Sequence, residues 1–357
     1  MASKKRQALN RRPNPGKRQR RHWWEKLSND DLLDVRICDL ELSIEGTALQ
    51  TRIEELYDDL RRAGITYRPH VWLSTDWFTP DGVIGFAVPF FLAHRRLARL
   101  EHYHMLEVEG GNHTWCMKLL RHETGHAIDN AYRLHWKKKW RDTFGKFSEP
   151  YDHTYAPNPA SQHHVQHLGY WYSQSHPAED FAESFAVWLR PGGRWRSRYR
   201  GWPVISKLQC IEDLMQGVRR SKLSVTSRAR PEALSTLRMT LKDYYAEKQQ
   251  TYAQDGDDQI VDPYLRQLFS DDPAYRRRET AASFLRRFQT ELRNRVASLT
   301  RQPKYLVEQA LDVLVLRSRE LGLRVMMPNS ENRINATILI TILTMHFVHD
   351  KRPRYRR

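Results

Sequence analysis

From Thr114 the chain reads Thr-Trp-Cys-Met-Lys-Leu-Leu-Arg-His-Glu-Thr-Gly-His-Ala-Ile-Asp-Asn-Ala-Tyr, with His122-Glu123-Thr124-Gly125-His126 at its centre. Gly110, Gly111 and Asn112 interrupt what comes before, and either Asn112 or Thr114 is placed to cap a helix. On a helix, positions i and i+4 stand one above the other on the same face. Two imidazoles so placed reach one Zn²⁺ at roughly 2.0–2.1 Å. Glu123, beside the first, is aimed at the water such an ion carries rather than at the ion itself. The plainer reading is a surface helix that happens to carry two histidines, in a chain that has 16 of them. Trp115, Leu119, His122 and His126 follow helical spacing, however, which puts the histidines on an inward stripe. Inward imidazoles need partners, and a metal is one way to satisfy them. Gly125 costs a helix roughly 1 kcal/mol against Ala, a cost more readily borne where something approaches the backbone closely. Asp129 is either an acceptor for a ligand imidazole or a solvated helix residue.

Catalytic zinc usually takes three protein ligands and leaves the fourth position to water. The best third donor stands 53 residues beyond His126, in Ser175-His176-Pro177-Ala178-Glu179-Asp180-Phe181-Ala182-Glu183-Ser184-Phe185-Ala186-Val187-Trp188-Leu189. Pro177 suits a first helical position, with Ser175 or His176 as cap. Phe181, Phe185 and Trp188 mark a buried stripe, and Ala182, Ala186 and Leu189 widen it. Glu179 and Glu183 project from one side of this apolar helix. Like charges at that spacing repel, and a cation between them and the histidines explains their presence. Glu179 is therefore expected as the third ligand and Glu183 as the acceptor that orients a ligand histidine.

His-Glu-x-x-His followed by such a helix resembles the gluzincin class of zinc metallopeptidases. Residues 30–225 are similar to a bacterial family of zinc-binding metallopeptidases of unassigned substrate. The similarity rests on Pro89-Phe90-Phe91-Leu92-Ala93-His94, on Leu120-Arg121-His122-Glu123-Thr124-Gly125-His126 and on Glu179-Asp180-Phe181-Ala182-Glu183. The active-site segments also resemble the catalytic domain of anthrax lethal factor, through Gly125-His126-Ala127-Ile128-Asp129 and the Glu-x-Phe-Ala-Glu run. In that domain a functional tyrosine precedes the zinc-binding glutamate by seven residues, which is Tyr172 here. The resemblance implies an α+β, zincin-like metallopeptidase core, one Zn²⁺ per chain, a peptide or protein substrate, and Tyr172 as a phenol donor to the oxyanion. From the residues alone, Tyr170-Trp171-Tyr172 lies between a histidine-rich segment and the ligand helix. One such donor is typically worth about 2.7–4 kcal/mol, although adjacent aromatics also serve core packing.

Other donors compete. His153, His163, His164, His167 and His176 all lie between the motif and Glu179, and a third histidine suits zinc equally well. The metzincin continuation is missing, since Tyr132 and Trp136 stand in that region and His135 falls out of register. His163, His164 and His167 sit among polar residues and fit a cleft or the surface; His167 and His176 are weaker candidates as proton donors. Upstream, Met105-Leu106-Glu107-Val108-Glu109 alternates apolar and acidic residues and reads as a short edge strand. Such a strand either pairs with an extended peptide or is shielded by its glutamates.

The net charge of +17 raises nucleic acid as a partner. Nine lysines and arginines lie in residues 1–22 and five in residues 351–357, leaving 45 basic against 42 acidic residues, or +3, on 23–350. The basicity is thus mostly in tails expected to be disordered. Such tails touch nucleic acid or anionic surfaces non-specifically and with steep salt dependence. Cys38, Cys116 and Cys210 form neither a disulfide framework nor a CxxC site, which favours the cytoplasm. No apolar stretch follows the basic start, so no secretory signal is read. The most apolar run, Ala336–Val348, has 13 residues, threonines and a histidine among them, and falls short of the roughly 20 that a membrane span requires.

The expected organisation is a basic tail (1–22), a zincin-like catalytic domain (23–225), a mostly helical accessory region (226–350) and a second basic tail (351–357). Helices are expected near 47–63, 233–250, 281–298 and 303–321, with strands at 71–73 and within 84–92. Three functions fit: a zinc metallopeptidase, a zinc hydrolase of a non-peptide amide, or a nucleic-acid-binding protein with a vestigial metal site. An intact Glu123 argues against the last, because its loss alone would abolish the chemistry.

Overall fold

The structure, a computed structural model, describes residues 22–151, 158, 160–169, 171–251 and 261–350. Both basic tails, apart from His22, and His153 lie outside these residues. The described chain is mostly helical, with few strands. Among the described residues no helix is long and apolar enough to cross a membrane.

The N-terminal part begins with α1 (Asn29–Leu33), capped by Ser28, and α2 (Ala48–Arg62), capped by Thr47. Strand β1 (His70–Ser74) then pairs in parallel with β2 (Gly85–Pro89), Trp72 lying opposite Ala87. Every residue of β2 is buried, as expected for a strand covered on both faces. The link between the strands, residues 75–84, returns along the other side of β2, where the Ala87 N–H donates to the Phe78 carbonyl at 2.8 Å. That link is held against the motif helix by Asn130, whose amide donates to Pro80 O and Val83 O at 2.9 and 3.1 Å.

Helix α3 (Arg95–Met105) follows, capped by His94. It contradicts the expected edge strand at 105–109. Met105 closes the helix, Leu106 turns left-handed at φ 64°, and the segment runs on in turns to Gly110. Alternation over five residues was too short a signal to outweigh the helix extending into it. The peptide-pairing edge is withdrawn with the strand.

Helix α4 (His113–Tyr132) carries the motif and starts at Asn112, whose side chain accepts the Trp115 N–H at 2.9 Å. It is buried nearly all round rather than along one stripe, and Trp115 is only half-buried. A helix apolar or satisfied on every side lies inside its domain. Arg121 anchors it to α2 by donating Nε and Nη2 to Asp59 Oδ2 at 2.9 and 2.7 Å. Next come α5 (Lys138–Phe144), α6 (Pro177–Leu189), which carries Glu179 and Glu183, α7 (Trp195–Arg198) and α8 (Ile205–Val218). Lys207 of α8 reaches back to the buried Asp180 of α6 at 2.5 Å.

The boundary expected near 225 lies further on. Residues 226–251 belong to the first core, which takes in Leu234, Leu241, Tyr244 and Tyr245. The polar stretch before them is laid along β1. There His70 Nε2 meets Ala229 O, Trp72 Nε1 donates to Pro231 O, and Ser74 Oγ donates to Glu232 O, at 2.8–3.1 Å. Helix α9 (Leu241–Gln250) closes this unit and begins later than the expected 233. A polar composition marks exposed side chains, and it does not reveal that the backbone beneath them is bonded to a strand.

A second core belongs to α10 (Asp262–Leu268), α11 (Ala281–Thr300), α12 (Lys304–Glu320) and α13 (Asn329–Asp350), with a two-residue antiparallel pair of β3 (Phe269–Ser270) and β4 (Arg324–Val325). Leu292, Val296, Leu306 and Ala310 point inward, while Val313 is half-buried. The apolar run 336–348 lies on α13, which buries Leu339, Ile340 and Leu343 and leaves Ile334, Ile338 and Ile342 exposed.

Candidate metal centre

Helices α4 and α6 cross at a point where neither has bulk. A Cβ built on Gly125 would stand 2.7 Å from Ala182 Cα, so glycine is required for the backbones to approach. The contact sets one turn of α4 against one turn of α6. It brings His122, His126 and Glu179 together, their donor atoms all within 4.8 Å of one another.

The geometry is sharper than that limit. His122 Nε2 lies 3.2 Å from His126 Nε2, and Glu179 Oε2 lies 3.2 Å from each. Donors on a tetrahedral shell of 2.0–2.1 Å radius would stand about 3.3–3.4 Å apart. The three atoms therefore form the face of a coordination polyhedron of zinc-like size. His122 Nδ1 donates to Glu183 Oε1 at 2.9 Å, which leaves Nε2 as the bare nitrogen turned toward the Glu179 carboxylate. Two lone pairs facing each other at that distance call for a cation or protons between them. Burial opposes charge on His122 and His126, but the Glu179 and Glu183 carboxylates outweigh it and raise the His122 pKa well above its ordinary value; His126 is raised chiefly by Glu179. Burial likewise opposes charge on Glu179, and the two imidazoles reverse that effect and hold its carboxyl well below the usual range. This buried His-His-Glu group can hold a metal ion.

Glu183 accepts twice, from His122 and from the Leu168 N–H at 2.9 Å. Glu123 is buried one residue beyond the first histidine, and its Oε2 accepts from Thr79 Oγ1 at 2.8 Å. Burial raises its pKa against the pull of the neighbouring histidines and Thr79, the direction a general base working near neutral pH needs. The Tyr172 ring lies 5.8 Å, centroid to centroid, from that of His122. The residue before it, Trp171, takes the left-handed conformation at φ 51°. A bulky residue there is unusual, and strained backbone of this kind gathers at functional sites.

Asp129 is not part of the centre. It is buried and accepts the His135 N–H at 2.8 Å, with its other oxygen 3.1 Å from His135 Nδ1, so it fixes the turn after α4 rather than a ligand imidazole. His176 and His167 are also spoken for. The first caps α6 by accepting the Ala178 N–H at 3.1 Å, with its Nε2 2.8 Å from Glu149 O. The second is buried and exchanges bonds with Lys118, His167 Nε2 to Lys118 O at 3.1 Å and Lys118 Nζ to His167 O at 2.5 Å. His164 stands 3.8 Å from Asp180, and His163 is exposed.

Two neighbours of the centre were missed in the sequence. Thr79 comes from the β1–β2 link, and Tyr151 from the loop before α6. The Tyr151 hydroxyl donates to Glu179 Oε1 at 2.8 Å, and its ring stacks on His176 at 3.9 Å. Burial, then the Glu179 charge, raises the phenol's pKa. Neither residue has a spacing relation to the motif that could have marked it. No family model, curated protein or solved structure matches this chain.

Proposed function

We propose that the protein is a zinc-dependent metallopeptidase of the gluzincin kind with a zincin-like core, cleaving a peptide or protein substrate. The observation that carries this reading is the 3.2 Å triangle of His122 Nε2, His126 Nε2 and Glu179 Oε2 beside a buried carboxylate at position 123. A bound Zn²⁺ supplies a water whose pKa falls to about 7 and a Lewis acid for the scissile carbonyl. The protein's own residues do the rest. Glu123, oriented by Thr79, takes the proton of the attacking water and passes it to the leaving amine. Glu183 keeps His122 in the tautomer that leaves Nε2 bare. The Tyr172 phenol, beside His122, serves the developing oxyanion. A cytoplasmic setting belongs to the same proposal, since Cys38, Cys116 and Cys210 are all unpaired.

The test joins metal analysis of the purified chain to cleavage of a peptide library. Wild type is expected to hold one zinc per chain and to lose cleavage to a chelator. Glu123→Gln is expected to keep the zinc and lose at least about a hundredfold in rate, while Glu179→Ala loses the zinc. Full activity in Glu123→Gln would remove the mechanism, and an unaltered zinc content in Glu179→Ala would remove the ligand set.

A further inference from the structure

Helix α13 is apolar on two sides. One face packs on α10, α11 and α12 and buries Leu339, Ile340, Leu343 and Phe347. The opposite face carries Ile334, Ile338 and Ile342, which are 57, 53 and 41 % exposed. Apolar side chains scattered singly over a surface need no explanation. Three isoleucines one helical turn apart form a row, and Thr341, Met345 and Val348, all half-buried, extend it. Positions 334, 338, 341, 345 and 348 advance by four and three residues in turn. That is the spacing of a helix that pairs with another along a seam.

The seam is also free of charge. None of the 15 residues Ile334–Val348 is Asp, Glu, Lys or Arg, in a chain of which 28 % are. Nucleic acid would find no cation there, and a basic partner no anion. A second copy of this chain suits such a face. Two-fold pairing sets each residue against itself or its counterpart, so a seam of one charge would repel its own copy. The flanks give the direction. Exposed Glu331 stands at the start of α13, and residues 351–357, beyond its end, hold five lysines and arginines. Parallel pairing would bring two such basic segments together, whereas antiparallel pairing sets each near Glu331 of the other copy. Opposed helix dipoles favour the same direction.

We propose that the protein forms a two-fold dimer in which the α13 helices of two copies pack antiparallel along this seam. Thr341 lies at its middle, so Ile338 of one copy meets Met345 of the other, and Ile334 meets Val348. The seam is about 22 Å long, which places the dimer at the small, reversible end of protein interfaces. The proposal is independent of the metal centre and of the peptidase reading.

Sedimentation equilibrium of the full chain tests it. Monomer is expected to pass to dimer between roughly 1 and 100 µM. Raising salt to about 0.5 M should not reduce it, since contact between apolar side chains is not screened. Ile338→Glu and Met345→Lys should each weaken association by at least about tenfold, by placing a charge in the seam. Both changes in one chain should restore most of it, because opposite charges then meet across an antiparallel seam. Tyr103→Glu, at an exposed site on α3, should change nothing. Thermal melts show that each variant keeps its fold, and Ile338→Ser decides the matter if the charged variants do not. Wild type that stays monomeric throughout overturns the proposal, as does a dimer that survives Ile338→Glu. A dimer lost at high salt also overturns it and points to the basic segments. A double variant no tighter than the single ones overturns the antiparallel register.

Discussion

Glu179 divides its two oxygens between different tasks: Oε2 faces both imidazoles at 3.2 Å, and Oε1 takes the Tyr151 hydroxyl at 2.8 Å. A carboxylate held at one oxygen presents the other in a fixed direction, and partners of this kind typically change metal affinity by 10–100-fold. Tyr151→Phe keeps the ring stacked on His176 and removes only that bond. Chelator competition is expected to show zinc affinity lower by about tenfold. If affinity held and turnover fell instead, the phenol's role would shift from holding Glu179 to the chemistry, in place of Tyr172. His167 gives a prediction about pH. Burial lowers its pKa to about 4 from an ordinary 6.5, so the folded protein keeps it neutral. The folded value lies below the unfolded one, so the full stability is present above about pH 6.5 and drains away as pH falls toward 4. The span amounts to about 3 kcal/mol. His167→Gln, which can still donate to Lys118 O, should flatten the loss of melting temperature across that window relative to wild type; an unchanged slope would mean that His167 titrates normally. The grouping of His122 and His126 with Glu179 was legible in the sequence because helix periodicity fixes how residues four apart stand to one another. Tyr151 and Thr79 were not, since a loop residue's direction is set by packing that no local rule encodes.

At the scale of elements, the centre exists because α4 and α6 touch backbone to backbone at Gly125 and Ala182. A solvent-facing glycine in mid-helix would gain roughly 1 kcal/mol from replacement by alanine. Here the added methyl would meet Ala182 Cα at 2.7 Å, with backbone on both sides and no flexible side chain to yield. Overpacking of this kind costs about 1–3 kcal/mol, so packing decides the sign. Gly125→Ala is expected to lower the melting temperature and, by parting the helices that carry His122, His126 and Glu179, to weaken zinc binding in the same variant. A stabilised variant with intact zinc affinity would show that the helices can slide apart at no cost. The sequence raised the question of what approaches Gly125, and only the packed helices supply Ala182 as the answer. The edge strand expected at 105–109 shows the reverse case: five alternating residues satisfied a strand pattern while the helix before them claimed the first.

For the whole molecule, the two largest hydrophobic cores meet a different dividing line from the one composition suggests. Pro231 and the polar residues around it look like a linker, yet Ser227, Ala229, Pro231 and Glu232 offer their carbonyls to Ile84, His70, Trp72 and Ser74. Beyond them, Leu234, Leu241, Tyr244 and Tyr245 enter the first core, and Lys248 sets its ammonium 2.7 Å from the buried Glu101. Removing one partner of a buried pair leaves a charge uncompensated, at about 3–5 kcal/mol. Each large core side chain lost adds roughly 2–5 kcal/mol. Together these match or exceed the 5–15 kcal/mol that holds a typical domain folded. A chain ending at residue 225, the boundary composition favours, is therefore expected to lack a cooperative unfolding transition. A chain ending at residue 260 keeps all of these contacts and should unfold cooperatively, with one zinc bound. Circular dichroism melts of the two truncations, read beside their zinc content, separate the boundaries. Cooperative folding of the shorter chain would mean that β1 and α3 hold together without residues 226–251, and that the segment is an attachment to the first core instead of a part of it.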